Sequence, residues 1–130
     1  MTPNKLYQIE MSDVLPVFFC TVEFLVTAVV NGRPLAAESA DGKFLHFKAP
    51  TFKQVLTKNI TVPEGQEPQR ILKMYMQVFR DLGFIVSEDD RLTHIAWIGG
   101  KSMRVVTIRK GVYEALKAME NYSKTGKDNR

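Results

Sequence analysis

Two histidines and one isolated carboxylate are the residues of this 130-residue chain best suited to acid–base chemistry. His46 and His94 each lie among apolar neighbours in a segment with strand-like alternation. A general base needs a nucleophile or carboxylate within hydrogen-bond reach, and neither histidine has such a partner nearby in sequence. Glu23 is the single charge in a long apolar run, where it is a buried acid, a solvent-exposed one or the partner of a basic residue. We therefore expect structural histidines and a protein that is not an enzyme.

Residues with the chemistry to bind a metal or a cofactor lack the necessary spacing. Glu88-Asp89-Asp90 is an acidic cluster with no second ligand set nearby, so we expect a solvated turn and no metal. Cys20 is the only cysteine, which excludes an intrachain disulfide and a cysteine-based metal cluster, and we expect it in the core. Gly99-Gly100-Lys101-Ser102 lacks the first glycine of a phosphate-binding loop, because Ile95 occupies that position. The sequence thus predicts a glycine-rich turn and no cofactor.

Basic residues are concentrated in the second half of the chain. The first 65 residues carry six basic and six acidic side chains, so the net charge of +4 comes from the remainder. This asymmetry suggests a polyanionic partner, DNA or RNA, although a solubilising surface is an equal alternative. Two sets of side chains are our candidate nucleic-acid contacts. The first lies on one predicted helix face and comprises Arg70, Lys73, Gln77 and Arg80; the second lies near Trp97 on a predicted hairpin and comprises Lys101, Arg104, Arg109 and Lys110.

The segment from Pro68 onward resembles the end of a winged-helix domain. A helix ends in Asp81-Leu82-Gly83-Phe84-Ile85, a tight hairpin runs through Glu88-Asp89-Asp90 to Arg91-Leu92-Thr93, and Thr107-Ile108-Arg109-Lys110-Gly111 opens a final helix. The resemblance implies that the helix from Pro68 enters the DNA major groove, where its outward residues contact phosphates and bases. The sequence departs from a winged helix in three ways. The hairpin tip is acidic, an extra strand precedes the last helix, and one short helix precedes the Pro68 helix where two are expected.

The most apolar stretch, Val14–Val30, predicts a long strand around which the domain is built. β-Branched and aromatic residues dominate it, and these favour strands over helices. With a period of two, one face is wholly apolar and the other is mixed, as expected of a strand lying over a core. The wholly apolar face comprises Phe18, Cys20, Val22, Phe24, Val26, Ala28 and Val30.

Two tight turns predict that this strand continues into an antiparallel meander. Asn31-Gly32 is typical of a two-residue hairpin and pairs Val30 with Arg33, Val29 with Pro34, Ala28 with Leu35 and Val26 with Ala37. Asp41-Gly42 predicts a second hairpin that leads into a strand over 43–49. A short strand over Lys5–Met11 precedes them.

Helical periodicity begins after the meander. Thr51 and Gln54 fit a capping box for a short helix that ends near Asn59. After a loop over 61–67, Pro68 begins the strongest amphipathic pattern of the chain, which Gly83 terminates. Strands are predicted at 84–86, 91–98 and 103–109, and a last helix over 112–122.

We therefore expect a single α+β domain over residues 1–123, with an antiparallel sheet and about three helices on one face, followed by a disordered basic tail over 124–130. No signal peptide or membrane helix is apparent, which suggests a cytoplasmic protein. The predicted function is a small non-enzymatic regulatory protein that binds nucleic acid through its basic half. The alternative is a protein-interaction module, a homo-oligomer or an inhibitor, that uses an exposed apolar face of the sheet.

Overall fold

The computed structural model describes residues 9–86, 92–98 and 100–128, with side chains described up to residue 120. These residues form an α+β unit with four helices and two antiparallel sheets, so the predicted fold class is confirmed. Two parts of the prediction lie outside the described residues: most of the strand at Lys5–Met11 and the turn at Glu88-Asp89-Asp90. The elements, in chain order, are α1 (Met11–Thr27), β1 (Val29–Val30), β2 (Arg33–Pro34), β3 (Ala37–Glu38), β4 (Phe44–Lys48), α2 (Ala49–Asn59), α3 (Pro68–Asp81), β5 (His94–Ile98), β6 (Lys101–Arg109) and α4 (Lys110–Asp128).

The predicted long strand is wrong, because Met11–Thr27 forms a helix. Its buried residues recur at intervals of three and four, which is the helical period: Val14, Phe18, Thr21, Val22 and Leu25. Strand propensity amounts to only a few tenths of a kcal/mol per residue, and the packing of one helical face outweighs it. The interaction-module hypothesis depends on an exposed apolar face of this strand. Because the segment is helical, that face does not form.

The turn at Asn31-Gly32 is confirmed, together with its register. Val30 pairs with Arg33 and Val29 pairs with Pro34, and both turn residues have positive φ, 54° at Asn31 and 78° at Gly32. The Leu35 N–H donates to the Ala28 carbonyl at 3.3 Å, which extends the predicted pairing by one step. The pairing of Val26 with Ala37 is wrong, because Val26 belongs to α1.

The main sheet has the strand order β3-β4-β6-β5 and is antiparallel throughout. The second predicted hairpin is confirmed, since β3 and β4 pair across a turn that contains Gly42 at φ 74°. Asp41 accepts hydrogen bonds from the Ser39 hydroxyl at 2.7 Å and the Lys43 N–H at 3.0 Å. These two donors, Ser39 first, lower the pKa of the Asp41 carboxyl.

The predicted helices α2 and α3 are confirmed, although the capping box is wrong. α2 begins at Ala49 with Pro50 in its first turn, and no side chain caps it. α3 begins at Pro68 as predicted, and Gly83 at φ 80° follows its end. The final helix extends to Asp128, so the structure has helix at residues 124–128, where the sequence predicted a disordered tail.

One hydrophobic core joins the helices to one face of the sheet. Phe47 and Phe52 tie β4 to α2, and Phe18 of α1 contacts Phe79 of α3. The largest fully buried side chains come from α1, α2, α3, β4 and β6. Among the described residues, no helix combines the length and apolar character that crossing a bilayer requires.

Candidate nucleic-acid interface

The outer face of α3 carries the first predicted set of side chains. The opposite face packs into the core through Ile71, Leu72, Tyr75, Met76 and Phe79. This amphipathic division leaves Arg70 and Lys73 exposed, with Gln77 and Arg80 partly exposed along the same side of the helix.

Local contacts hold two of these cations along the helix. The Arg70 guanidinium donates to the Gln66 side-chain oxygen at 3.4 Å, and Arg80 Nε lies 3.3 Å from a carboxylate oxygen of Asp81. Both contacts are solvent-exposed and weak, so both side chains can turn toward a phosphate.

Aromatic packing anchors α3 to its neighbours. Phe18 of α1 lies edge-on to Phe79 with ring centroids 5.0 Å apart, and Phe84, just after α3, lies 4.8 Å from Phe18. Arg109 Nε donates to the Gly83 carbonyl at 2.9 Å, which joins the end of α3 to the end of β6. The exposed face of α3 is therefore held on a rigid support.

The predicted strand at 84–86 and strand β5 lie along the same edge of β6. Ile85 pairs with Ile108 and the Val86 N–H donates to the Thr107 carbonyl at 2.8 Å. The other edge of β6 pairs with β4 over these residues, so the 84–86 segment must use the edge that β5 occupies farther along. Residues 84–86 and β5 therefore both pair with this edge of β6.

Two helices, α1 and α2, precede α3, whereas the sequence predicted only one. The strand that precedes the last helix is β6, and it pairs with β5. The last described pair of the β5–β6 hairpin joins Ile98 to Lys101, and the acidic cluster at 88–90 lies outside the described residues. Of the three departures seen in the sequence, the structure removes the one that concerns the number of helices before Pro68.

The β5–β6 hairpin carries the most exposed aromatic ring among the described residues. Trp97 is 75% exposed and Ile95 is 55% exposed. Trp97 lies opposite Ser102, and Ile95 lies opposite Arg104, so the four side chains share one face of the hairpin. The Arg104 guanidinium donates to the Thr93 hydroxyl at 3.0 Å. The predicted association of Trp97 with Lys101 and Arg104 on one hairpin is thus present.

Arg109 and Lys110, the other two members of the second set, have intramolecular roles. The Arg109 guanidinium lies 5.9 Å from the centre of the Phe44 ring, in addition to its bond with Gly83. Lys110 forms an ion pair with Glu38 at 2.8 Å, and this hydrogen bond raises the pKa of Lys110. These two residues stabilise the junction of β6 and α4, away from Trp97 near the hairpin tip.

The two histidines lie together, although they are 48 residues apart in sequence. His46 Nδ1 lies 2.8 Å from the Thr107 hydroxyl oxygen, and His94 Nε2 lies 3.0 Å from the same atom. Burial, followed by the neighbouring His94, lowers the pKa of His46. Their juxtaposition follows from the strand order, which residue spacing alone does not reveal.

The Thr107 hydroxyl has one proton and can donate to only one ring. His94 Nδ1 is buried without a hydrogen-bond partner among the described residues. Leaving this nitrogen as a bare acceptor is less costly than burying an unpaired N–H. The network therefore favours His94 Nε2–H donating to Thr107, and Thr107 donating to His46 Nδ1. The same network joins β4, β5 and β6 through the Thr107 hydroxyl.

Glu23 and Cys20 occupy positions that the predicted strand did not suggest. Glu23 accepts a hydrogen bond from the Tyr113 hydroxyl and lies 3.6 Å from Lys117 Nζ, so it is the partner of a basic residue. Burial and this bond raise the pKa of Tyr113. Cys20 is exposed, not in the core, because it lies on the outer face of α1.

Neither a metal site among the described residues nor a matching protein family is found for this chain. Within the part of the chain that the structure describes, no group of three histidine, cysteine or acidic side chains gathers to hold a metal ion. A comparison with models of known protein families finds no match, and a comparison with curated protein sequences finds none either.

Proposed function

We propose that this protein is a small non-enzymatic regulator that binds duplex DNA, with α3 as the helix that enters the major groove. The observation that carries the proposal is the position of the basic face of α3. It is solvent-exposed on a helix that follows α2 and precedes an antiparallel hairpin, an arrangement that resembles a winged helix.

The chemistry of the α3 face suits both parts of DNA recognition. Arg70, Lys73 and Arg80 supply positive charge for phosphates, which provides affinity without sequence preference. Gln77 lies among them, and a glutamine side chain can form two hydrogen bonds with the major-groove edge of adenine. The prediction is therefore binding with a marked salt dependence and a sequence preference that depends on Gln77.

The experiment is a fluorescence anisotropy titration of labelled duplex DNA at a series of salt concentrations. Each phosphate contact contributes a slope of about −0.9 in the logarithm of the binding constant against the logarithm of salt concentration. We expect Lys73→Ala to make the slope less steep by about one unit. Gln77→Ala should keep the slope and reduce discrimination between preferred and random duplexes by about 1–3 kcal/mol.

A charge-matched control is Lys43→Ala, which removes an exposed lysine from the turn between β3 and β4. This variant should retain the slope of the parent chain. Absence of binding to any duplex at low salt would refute the proposal, because the electrostatic contribution is largest there. An equal change of slope in Lys43→Ala and Lys73→Ala would show general attraction without a specific α3 contact.

A further inference from the structure

The sheet continues beyond the core at the Trp97 end. Val106 and Ile108 of β6 are fully buried, whereas Arg104, on the same face, is exposed. Trp97 and Ile95 lie on the neighbouring strand and are likewise exposed. The hairpin therefore exposes two apolar side chains beside two polar ones on a single face, which we name the Trp97 platform: Ile95, Trp97, Ser102 and Arg104.

The side chain of Trp97 is largely accessible to solvent on the Trp97 platform. Its cross-strand neighbour is the small side chain of Ser102, and directly opposed side chains lie about 5 Å apart. Arg104 is the diagonal neighbour of Trp97, at about 7–8 Å, within reach of a group bound on the ring. The Arg104 guanidinium donates to the Thr93 hydroxyl at 3.0 Å, so it must release that hydrogen bond to meet a planar ligand stacked on Trp97.

The charge of the hairpin selects an anionic occupant. The sequence from His94 to Ile108 contains two cations, Lys101 and Arg104, and no acidic residue. Lys101 is exposed beside the turn, and Arg104 lies on the platform. Arg104 shares the face of Trp97, whereas the register places Lys101 on the opposite face of the hairpin. An aromatic ring beside a guanidinium suits a strand whose bases stack while a phosphate is neutralised.

We propose that the Trp97 platform binds unpaired bases of a DNA strand, so that the preferred partner is a duplex with an adjoining single-stranded segment. The inference extends the proposed function to a second surface, and it rests on that function in taking DNA as the partner. Bases within an intact duplex are stacked on one another, so their faces are closed to Trp97. Only an unpaired base offers a free π-face at no unstacking cost.

The test uses the fluorescence of Trp97, which is the only tryptophan of the chain. The full-length protein is titrated with an oligothymidine strand, with a blunt duplex, and with the same duplex carrying a single-stranded overhang. We expect quenching by the oligothymidine and the overhang substrate and little change with the blunt duplex. The overhang should bind more tightly than the blunt duplex by about 5- to 150-fold, the range for one stacked base.

Substitutions test whether the Trp97 platform causes the tighter binding of the overhang substrate. Trp97→Ala should abolish the preference for the overhang, as measured by anisotropy, whereas Trp97→Phe should keep part of it because the ring remains flat. Met119→Ala, which removes another exposed apolar side chain, is the matched control and should leave the preference intact. Arg104→Ala should weaken overhang binding and reduce its salt dependence, and Arg104→Lys should restore part of both.

The outcomes separate the two proposals. Blunt-duplex binding with unchanged Trp97 fluorescence and no gain from the overhang would overturn the inference and leave the role of α3 standing. Loss of all DNA binding at low salt would overturn both. Concentration-dependent burial of Trp97 without DNA, with a dimer seen by light scattering, would overturn the inference in favour of self-association through the β5 edge.

Discussion

Alanine substitutions at Phe18 and Phe24 distinguish a helical α1 from the strand that the sequence predicted. Six residues separate the two positions. In a strand they lie on the same face and are equally buried. In a helix they point about 120° apart. The structure has Phe18 fully buried and Phe24 56% exposed, so the two substitutions should differ greatly in their cost.

The expected magnitude follows from the contacts of each ring. Phe18 lies 5.0 Å from Phe79 and 4.8 Å from Phe84, measured between ring centroids. Truncating a buried phenylalanine costs about 3–5 kcal/mol through lost transfer energy and the cavity that remains. Phe24 is already largely hydrated, and its truncation should cost less than about 1 kcal/mol. The expected difference in the free energy of unfolding is therefore at least about 2 kcal/mol.

Urea denaturation followed by circular dichroism measures both variants. Phe18→Ala should lower the denaturation midpoint strongly, and the slope should stay the same if unfolding remains two-state. Should Phe18→Ala fail to fold, Phe18→Leu provides the comparison at a smaller cost, against Phe24→Leu. The exposed thiol of Cys20 gives an independent check, since it should react with a thiol reagent in the native protein.

Equal destabilisation by the two alanine substitutions would refute the helical packing of α1. So would a Cys20 thiol that reacts only after unfolding, because the predicted strand directs Cys20 and Phe24 into the core together. Either result would also remove the basis for two helices preceding α3.

Three further predictions concern polar groups inside the fold. Thr107→Val removes the hydroxyl that links His46 and His94, and should cost about 1–3 kcal/mol in urea denaturation because buried nitrogen atoms lose a partner. Because folding lowers the pKa of His46, the unfolded chain binds a proton more readily than the folded one. The stability should therefore be full above about pH 6.5 and fall as the pH decreases toward the lower pKa of the folded state. Thermal denaturation at a series of pH values measures this dependence. Tyr113→Phe removes the hydrogen bond to Glu23 and should cost about 1 kcal/mol, an effect that circular dichroism melting can detect; no change would mean that the pair contributes nothing between α1 and α4.

The sequence predicts α3 and the turns well because local chemistry determines them. Pro68 and Gly83 bound a stripe whose period is unambiguous, and Asn31-Gly32 requires backbone angles that few other residue pairs adopt. By contrast, Val14–Val30 is apolar at almost every position, so it satisfies periods of 2 and 3.6 alike. β-Branched composition then favoured the wrong element, and the choice depends on packing partners that are distant in sequence.

In the candidate site, too, the sequence predicts what one element determines and misses what distant elements determine. Arg70, Lys73, Gln77 and Arg80 share an exposed helix side, as their spacing predicts, because a single helix determines where they lie. Arg109 and Lys110 are cations of the same kind, yet they contact Gly83 and Glu38. Their partners come from other elements, so residue type and local spacing could not reveal that intramolecular contacts already engage them.

The helical conformation of α1 also determines how α3 is supported. A strand at Val14–Val30 would leave α2 as the single helix before α3. With α1 helical, Phe18 packs against Phe79 and Phe84, on either side of the end of α3. The core residue that distinguishes helix from strand is thus also a residue that supports α3. Loss of Phe18 should weaken DNA binding only in proportion to unfolding, whereas loss of Lys73 should weaken it in a fully folded protein. Binding and unfolding measured on the same two variants therefore separate the support of α3 from its proposed contact with DNA.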